Sequence, residues 1–262
     1  RLVPQIVYYF SAYADLCKMG QLQVGEPMNV VVPTGNFGNI LAGYYAKHMG
    51  LPIQTMVCAS NTNNVLTDFL KTGTYDRNRD FYATTSPSMD ILISSNLERH
   101  MSGESDAAVR GWMTQLAENG KYTVEPEVMA KIQNEFAAGY CDEAAVADTI
   151  HKTYTDQNYL CDTHTAVAVK VYRDYVAQTG DDLPTVIDST ASPYKFSKSV
   201  LTAVLEGKTP QLDEFDMVEE LHRVTGAAVP APLAALKDKA VRFTQVCDRE
   251  NMSQMVFQLL NL

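Results

Sequence analysis

The sequence predicts an α/β protein built on a parallel twisted sheet with flanking helices. Three observations carry that expectation. Val30-Val31-Val32 is a β-branched run closed by Pro33, the signature of a buried strand and its stop. An apolar-periodic helix follows at once, with Phe37, Ile40, Leu41 and Tyr44 three and four residues apart. After the turn Met49-Gly50-Leu51-Pro52, Ile53 to Cys58 reads as a second strand. Strand, helix, strand at this spacing is a βαβ unit, with a parallel pair and a right-handed crossover. Ligands of such sheets bind beyond the C-terminal ends of the strands. The loops at 33–39 and 59–64 both leave that edge.

The elements follow in order. Residues about 4–19 read as a helix with Pro4 in its first turn. Ile6, Tyr9, Phe10, Tyr13 and Leu16 lie on one face, and Gly20 is the stop. Gln21 to Met28 is a polar connection. Past the second strand, Ala59-Ser60-Asn61-Thr62-Asn63-Asn64 is a polar cluster that either caps a helix or lines a cleft. Val65 to Leu70 is a short helix closed by Lys71-Thr72-Gly73. A third polar cluster runs from Thr84 to Arg99. It reads either as a surface loop with a helix or as a ligand contact in which Arg99 offers a fork of donors to an anion. His100 is read as non-catalytic.

From about 104 to 156 the pattern is helical, over Ala107–Leu116, Val128–Phe136 and Glu143–Tyr154, with no visible site. Asp162-Thr163-His164 opens another helix, in which His164 faces a cleft or serves as a cap or core residue. Pro184 to Ile187 is a strand, and Asp188-Ser189-Thr190-Ala191-Ser192-Pro193 leaves its C-terminal end. Residues 194–206 and 215–224 are helical. Val229 to Pro232 reads as a turn because of its two prolines. Val241–Cys247 reads as a strand and Met252–Leu260 as the last helix. The expected division is 1–103, 104–158 and 159–262.

Composition bounds the function. The 262 residues are 46% hydrophobic, enough for a sizeable core in one or two domains. A formal net charge of -10 argues against nucleic acid and anionic membrane as partners. It leaves room for a small anion, since local backbone donors outweigh distant charge. The five cysteines, at 17, 58, 141, 161 and 247, are widely spaced and predict free thiols in a reducing, cytoplasmic setting. No Cys/His metal spacing or GxSxG elbow occurs. Arg1, rather than Met, leads directly into an apolar helix, which predicts further sequence upstream.

The chemistry concentrates in Thr34-Gly35-Asn36-Phe37-Gly38-Asn39. Glycines at 35 and 38 let backbone N–H groups approach one point, and a helix N-terminus adds unpaired donors with a partial positive charge. That is a site for a phosphate or carboxylate, or else an ordinary turn with helix-capping residues. It carries no P-loop lysine and lacks the dinucleotide fingerprint.

Pro33 to Asn39 with Ala42-Gly43 closely resembles the phosphate loop of the threonine synthase family. Ala59–Asn64, Phe69–Tyr75, Ser86–Asp90, Ser95–Arg99, Asp162–Ala166 and Ser189–Phe196 resemble the same family in the same order. The resemblance implies the tryptophan-synthase-β-like, fold type II group of pyridoxal-phosphate enzymes. It implies conversion of O-phospho-L-homoserine and water to L-threonine and phosphate. Gly35, Asn36, Phe37, Gly38 and Asn39 would then hold the cofactor phosphate. Thr190, or its neighbour Ser189, would meet the pyridine nitrogen. The family's Schiff-base lysine lies in an upstream part that does not match here, so no catalytic residue is assigned. Lys47, Lys71 and Lys195 do not take its role. The expected partners are the small-molecule substrate and the N-terminal part of the same polypeptide. Alternatives are another fold type II enzyme, such as a threonine dehydratase or cysteine synthase, and a non-catalytic binding fragment.

Overall fold

The computed structural model describes residues 1–101, 103 and 105–262, in two units, 1–227 and 228–262. The expected boundary between 103 and 104 touches residue 104, which lies outside the described residues. The first unit opens with helix α1, Leu2–Lys18. It turns inward Tyr9 and Tyr13, with Ile6 and Leu16 partly buried, while Phe10 of the expected face is 37% exposed. The two tyrosines are spaced for one stripe. Strand β1, Met28–Pro33, and helix α2, Gly38–His48, follow. Strand β2 is Ile53–Ser60, and helix α3 is Val65–Thr72, closed by Gly73 at φ 77°.

The next stretch holds two short strands that the sequence reading lacks: β3, Thr74–Asp76, and, after helices α4 (Leu97–Met101) and α5 (Asp106–Asn119), β4, Lys121–Thr123. They pair antiparallel, Tyr75 opposite Tyr122, with the two rings stacked at 5.5 Å. Three-residue strands carry no readable period; cross-strand aromatic packing holds them.

Helix α6, Pro126–Gln133, ends before Phe136, because residues 136–140 form strand β5. The expected helix over 128–136 is thus too long: Phe136 packs as a strand residue beside Met56 of β2. Helices α7 (Glu143–Gln157) and α8 (Thr163–Thr179), strand β6 (Thr185–Ile187), a 3-10 turn at Pro193–Phe196, and helices α9 (Ser197–Val204) and α10 (Glu214–Thr225) complete the unit.

The main sheet has the order β5-β2-β1-β6, and every pair is parallel. Val30, Val31 and Val32 of central β1 are fully buried. A parallel strand covered on both faces requires that continuous run, and each side chain contributes roughly 1.5–3 kcal/mol. The pairing extends past the strand ends. The Thr34 N–H donates to the Ala59 carbonyl at 2.8 Å, and the Asp188 N–H donates to the Val31 carbonyl at 2.9 Å. The loops after β1 and β6 therefore start side by side at the C-terminal edge of the sheet.

The second unit holds helices α11, Ala231–Ala234, and α12, Met252–Leu260. The expected strand at 241–247 is absent; those residues are irregular and mostly exposed. Their alternation meets no neighbouring strand, and an unpaired strand has no ladder to hold it. The prolines at 230 and 232 sit at the cap and first turn of α11 rather than in a simple turn, positions that tolerate a missing N–H.

Candidate functional site

The loop after β1 turns through Thr34 and Asn36 into α2. Thr34 is buried, and its hydroxyl donates back to the Val32 carbonyl at 2.7 Å, tightening the turn. Phe37 is the N-cap of α2 and stands in the left-handed region, φ 60°. For a non-glycine residue that costs about 1–2 kcal/mol. Its ring is 1% exposed, 5.6 Å from Phe136 and 6.0 Å from His100, and this burial holds the backbone there. His100 belongs to that aromatic cluster, with Tyr44 edge-on at 4.5 Å.

The two loop glycines do different work. A Cβ at Gly35 would lie 2.5 Å from the Ser88 carbonyl oxygen, so Gly35 permits a close backbone crossing. A Cβ at Gly38 would lie 3.6 Å from Asn96 Nδ2, in ordinary contact. Gly38 is not among the positive-φ residues; that conformation falls on Phe37. No side chain caps the N-terminus of α2.

A second layer props the loop. The Ser94 hydroxyl donates to the Gly35 carbonyl at 3.0 Å, and Asn96 Nδ2 donates to the Asn36 carbonyl at 2.8 Å. The Tyr75 hydroxyl accepts from the Ser94 N–H at 2.8 Å, so the small sheet fixes the segment that holds the loop. Gly35, Asn36, Phe37, Gly38 and Asn39 line one cavity of about 680 Å³, together with Ser88, Ser95, Asn96, Arg99 and the first residues of α1. Lys47, Lys71 and Lys195 are not part of that lining. Backbone donors, small hydroxyl and amide side chains and a guanidinium around one space suit a phosphate.

Beside the cavity lies a junction that the sequence reading did not single out. Asp188, just past β6, accepts from Asn39 Nδ2 at 2.8 Å through its Oδ2. The Tyr9 hydroxyl lies 3.1 Å from the same oxygen, 2.9 Å from the Asn39 carbonyl and 3.2 Å from Asn39 Oδ1. Burial pushes the Asp188 carboxyl up to about 6, against the opposing hydrogen bonds from Tyr9 and Asn39. Burial, then the nearby Asp188 charge, raises the Tyr9 phenol well above its ordinary value. Asp188 stood in the sequence as the first polar residue after a strand; its partners, 149 and 179 residues away, were invisible there.

The other expected contacts divide. Asn61 and Asn63 are buried, and both donate to Asp90 Oδ1, at 2.8 and 2.9 Å. Thr84 donates to the same oxygen at 2.7 Å. That polar cluster is satisfied internally and ties β2 to the loop before the 3-10 turn at Pro87–Met89. His164 is 3% exposed. Its Nε2 accepts the Ser88 N–H at 3.2 Å, and its Nδ1 faces Asp162 Oδ1 at 3.1 Å. Burial would raise the Asp162 carboxyl, yet hydrogen bonds from His164 and Thr165 hold it below its usual range. Thr190 is exposed and does not line the 680 Å³ cavity. The Ser189 hydroxyl receives Thr165 Oγ1 at 3.2 Å and the Tyr159 hydroxyl at 3.3 Å.

Comparison with known proteins gives this geometry its class. The yeast threonine synthase structure superposes on the whole chain with a TM-score of 0.81 at 32% identity, over 52% of its own length. The Brucella melitensis threonine synthase, solved with pyridoxal phosphate bound, matches 86% of the chain and 50% of its own, at 37% identity and a TM-score of 0.72. The chain therefore has the fold type II architecture of pyridoxal-phosphate enzymes. A family model described as "Threonine synthase, C-terminal" matches residues 165–256. The human protein "Threonine synthase-like 1" is 45% identical over 208 residues, 78% of this chain and 28% of that protein. The chain belongs to the threonine synthase family. It spans about half the length of the two synthases, and less of the human relative. No helix among the described residues is long and apolar enough to cross a membrane.

Proposed function

We propose that this chain supplies the cofactor-phosphate side of a threonine synthase, a pyridoxal-phosphate-dependent lyase converting O-phospho-L-homoserine and water to L-threonine and phosphate. The observation that carries the reading is the cavity at the C-terminal edge of β1, walled by residues 35–39 and the uncapped start of α2. The room at the Gly38 Cβ position supports it: the Asn96 Nδ2 amide stands 3.6 Å away, a polar group in ordinary contact rather than a steric block to a phosphate. When bound, the cofactor supplies an electron sink for removal of a proton next to the substrate amine.

In this reading the residues of the chain bind and orient. The N–H groups at the start of α2 hold the cofactor phosphate. Arg99, Ser95 and Asn96, on the same cavity, hold the substrate phosphate. The cluster of Asn61, Asn63, Thr84 and Asp90 positions rather than binds, since its polar groups already serve one another. Thr190, or its neighbour Ser189, offers a neutral hydroxyl to the pyridine nitrogen from the end of β6. None of Lys47, Lys71 and Lys195 lines the cavity, so in this reading none of them is assigned the covalent link to the cofactor.

Phosphate titration tests the cradle. Gly38→Glu adds bulk and like charge and abolishes inorganic-phosphate binding, while circular dichroism stays that of wild type. Equal affinity in the two folded proteins would overturn it. Release of phosphate from O-phospho-L-homoserine by the complete enzyme tests the reaction. A second reading is another fold type II activity in the same family. It is favoured by the higher identity to the human protein named "like" a threonine synthase than to the two synthase structures. Turnover of serine or threonine without phosphate release selects it.

A further inference from the structure

We propose that Asp188 is a positioning residue for the phosphate cradle: through Asn39 and Tyr9 it locks the first turn of α2 to the end of β6 and to α1. The inference rests on the reading of residues 35–39 as that cradle. Asn39 lies in the first turn of α2, where N–H groups have no partner in the helix. Their usefulness to an anion depends on where that turn points. Rotation of α2 by a fraction of a turn would disperse the donors.

Three features hold the turn in place. Asp188 is itself fixed, because its N–H donates to the Val31 carbonyl at 2.9 Å and so continues the sheet. Its Oδ2 then takes the Asn39 amide at 2.8 Å, a charge-assisted bond from the sheet edge to the first turn of the helix. Tyr9 closes the junction from α1, its hydroxyl within reach of both Asp188 Oδ2 and the Asn39 backbone carbonyl.

Gly43, one turn further along α2, makes room for that tyrosine. A Cβ there would lie 3.0 Å from Tyr9 Cζ and 3.1 Å from Cε1. The two helices thus approach closely at a point where one lacks a side chain, and the hydroxyl at the ring's tip reaches the carboxylate. Asp188 does not line the cavity, so it acts on the anion through Asn39.

The test measures affinity of the folded protein for inorganic phosphate, by calorimetry and ³¹P NMR, in wild type, Asp188→Ala, Asp188→Asn, Tyr9→Phe and Gly38→Glu. Loss of one charge-assisted anchor predicts at least about tenfold weaker binding in Asp188→Ala, with unchanged circular dichroism. Asp188→Asn keeps an acceptor oxygen at the same place and restores most of the affinity. Tyr9→Phe falls between. In ¹⁵N spectra the Asn39 side-chain amide shifts in Asp188→Ala and returns in Asp188→Asn. A merely structural role would lower thermal stability and leave the affinity of the folded protein unchanged; that result would overturn the proposal while leaving the cradle standing. If wild type and Gly38→Glu bind phosphate equally, the cradle itself falls, and this inference falls with it.

Discussion

Gly35 carries a packing constraint that its place in the loop does not disclose. In the sequence it is half of a glycine pair around a possible anion. In the structure it is where one backbone crosses another, 2.5 Å being all that a Cβ would have before the Ser88 carbonyl. Gly35→Ala should therefore destabilise the protein by about 1–3 kcal/mol and weaken phosphate binding as the loop moves; thermal unfolding and titration measure both. Phe37 was legible as apolar and helical, but its left-handed backbone depends on Phe136, a partner 99 positions on that no local pattern reveals. Asp188 carries the pH dependence at this scale. Its folded carboxyl, near 6, lies above the ordinary value of 3.8, so the folded state holds the proton more tightly. Stability contributed by this group is then full below about pH 4 and falls as the pH rises to about 6. Above that, the ionised carboxylate costs up to about 3 kcal/mol. Asp188→Asn should raise the melting temperature at pH 7–8, and the gain should vanish near pH 4.

Among elements, long periodic helices and the valine strand were readable because their own sequence decides them. Helices α1, α2, α7, α8 and α10 fall close to where apolar spacing and caps place them. Elements decided by partners were not readable. β5 lies in a stretch that continues a helical pattern, and it becomes a strand because β2 offers its edge, Met56–Ser60, to Phe136–Tyr140. The 241–247 segment has the opposite fate, alternation without an edge. Helix α8 shows what a cap adds to a correctly read helix. Asp162 accepts the N–H groups of His164 at 2.8 Å and Thr165 at 3.4 Å, and it also takes the Thr165 hydroxyl and faces the His164 ring. Asp162→Ala should cost at least about 2 kcal/mol in chemical denaturation. Because this carboxyl is held below its usual range, its contribution is present above about pH 4 and is lost as the pH falls through the folded value. It should also free the Ser88 contact of His164 and loosen the Gly35 crossing, which amide exchange at Ser88 reports.

At the scale of the whole molecule the chain must be nearly complete before the first unit closes. β1 is made early, yet its second neighbour, β6, begins at Thr185. A version ending at residue 160 should leave β1 as an open edge and should aggregate or resist cooperative unfolding, as light scattering and near-ultraviolet circular dichroism would show. The cysteines follow burial in the same way. Burial pushes the Cys58, Cys141 and Cys161 thiols up to about 12, whereas Cys17 and Cys247 are only partly buried. At pH 8 a thiol reagent should modify Cys17 and Cys247 in the native protein and reach the other three only after unfolding. The sequence showed that the thiols are unpaired in spacing; which of them meet solvent is a property of the completed fold.

The close approach of Tyr9 to Gly43, with Asp188 at its tip, has an evolutionary consequence. Positions 9, 39, 43 and 188 are scattered along the chain, but in heredity they behave as one locus. A lineage that gains a side chain at 43 must trade the tyrosine at 9 for something smaller, and the carboxylate at 188 then loses a donor and becomes free to drift. Such changes should arrive together or not at all. Among diverged copies of this protein, these four positions should covary more tightly than residues adjacent in sequence.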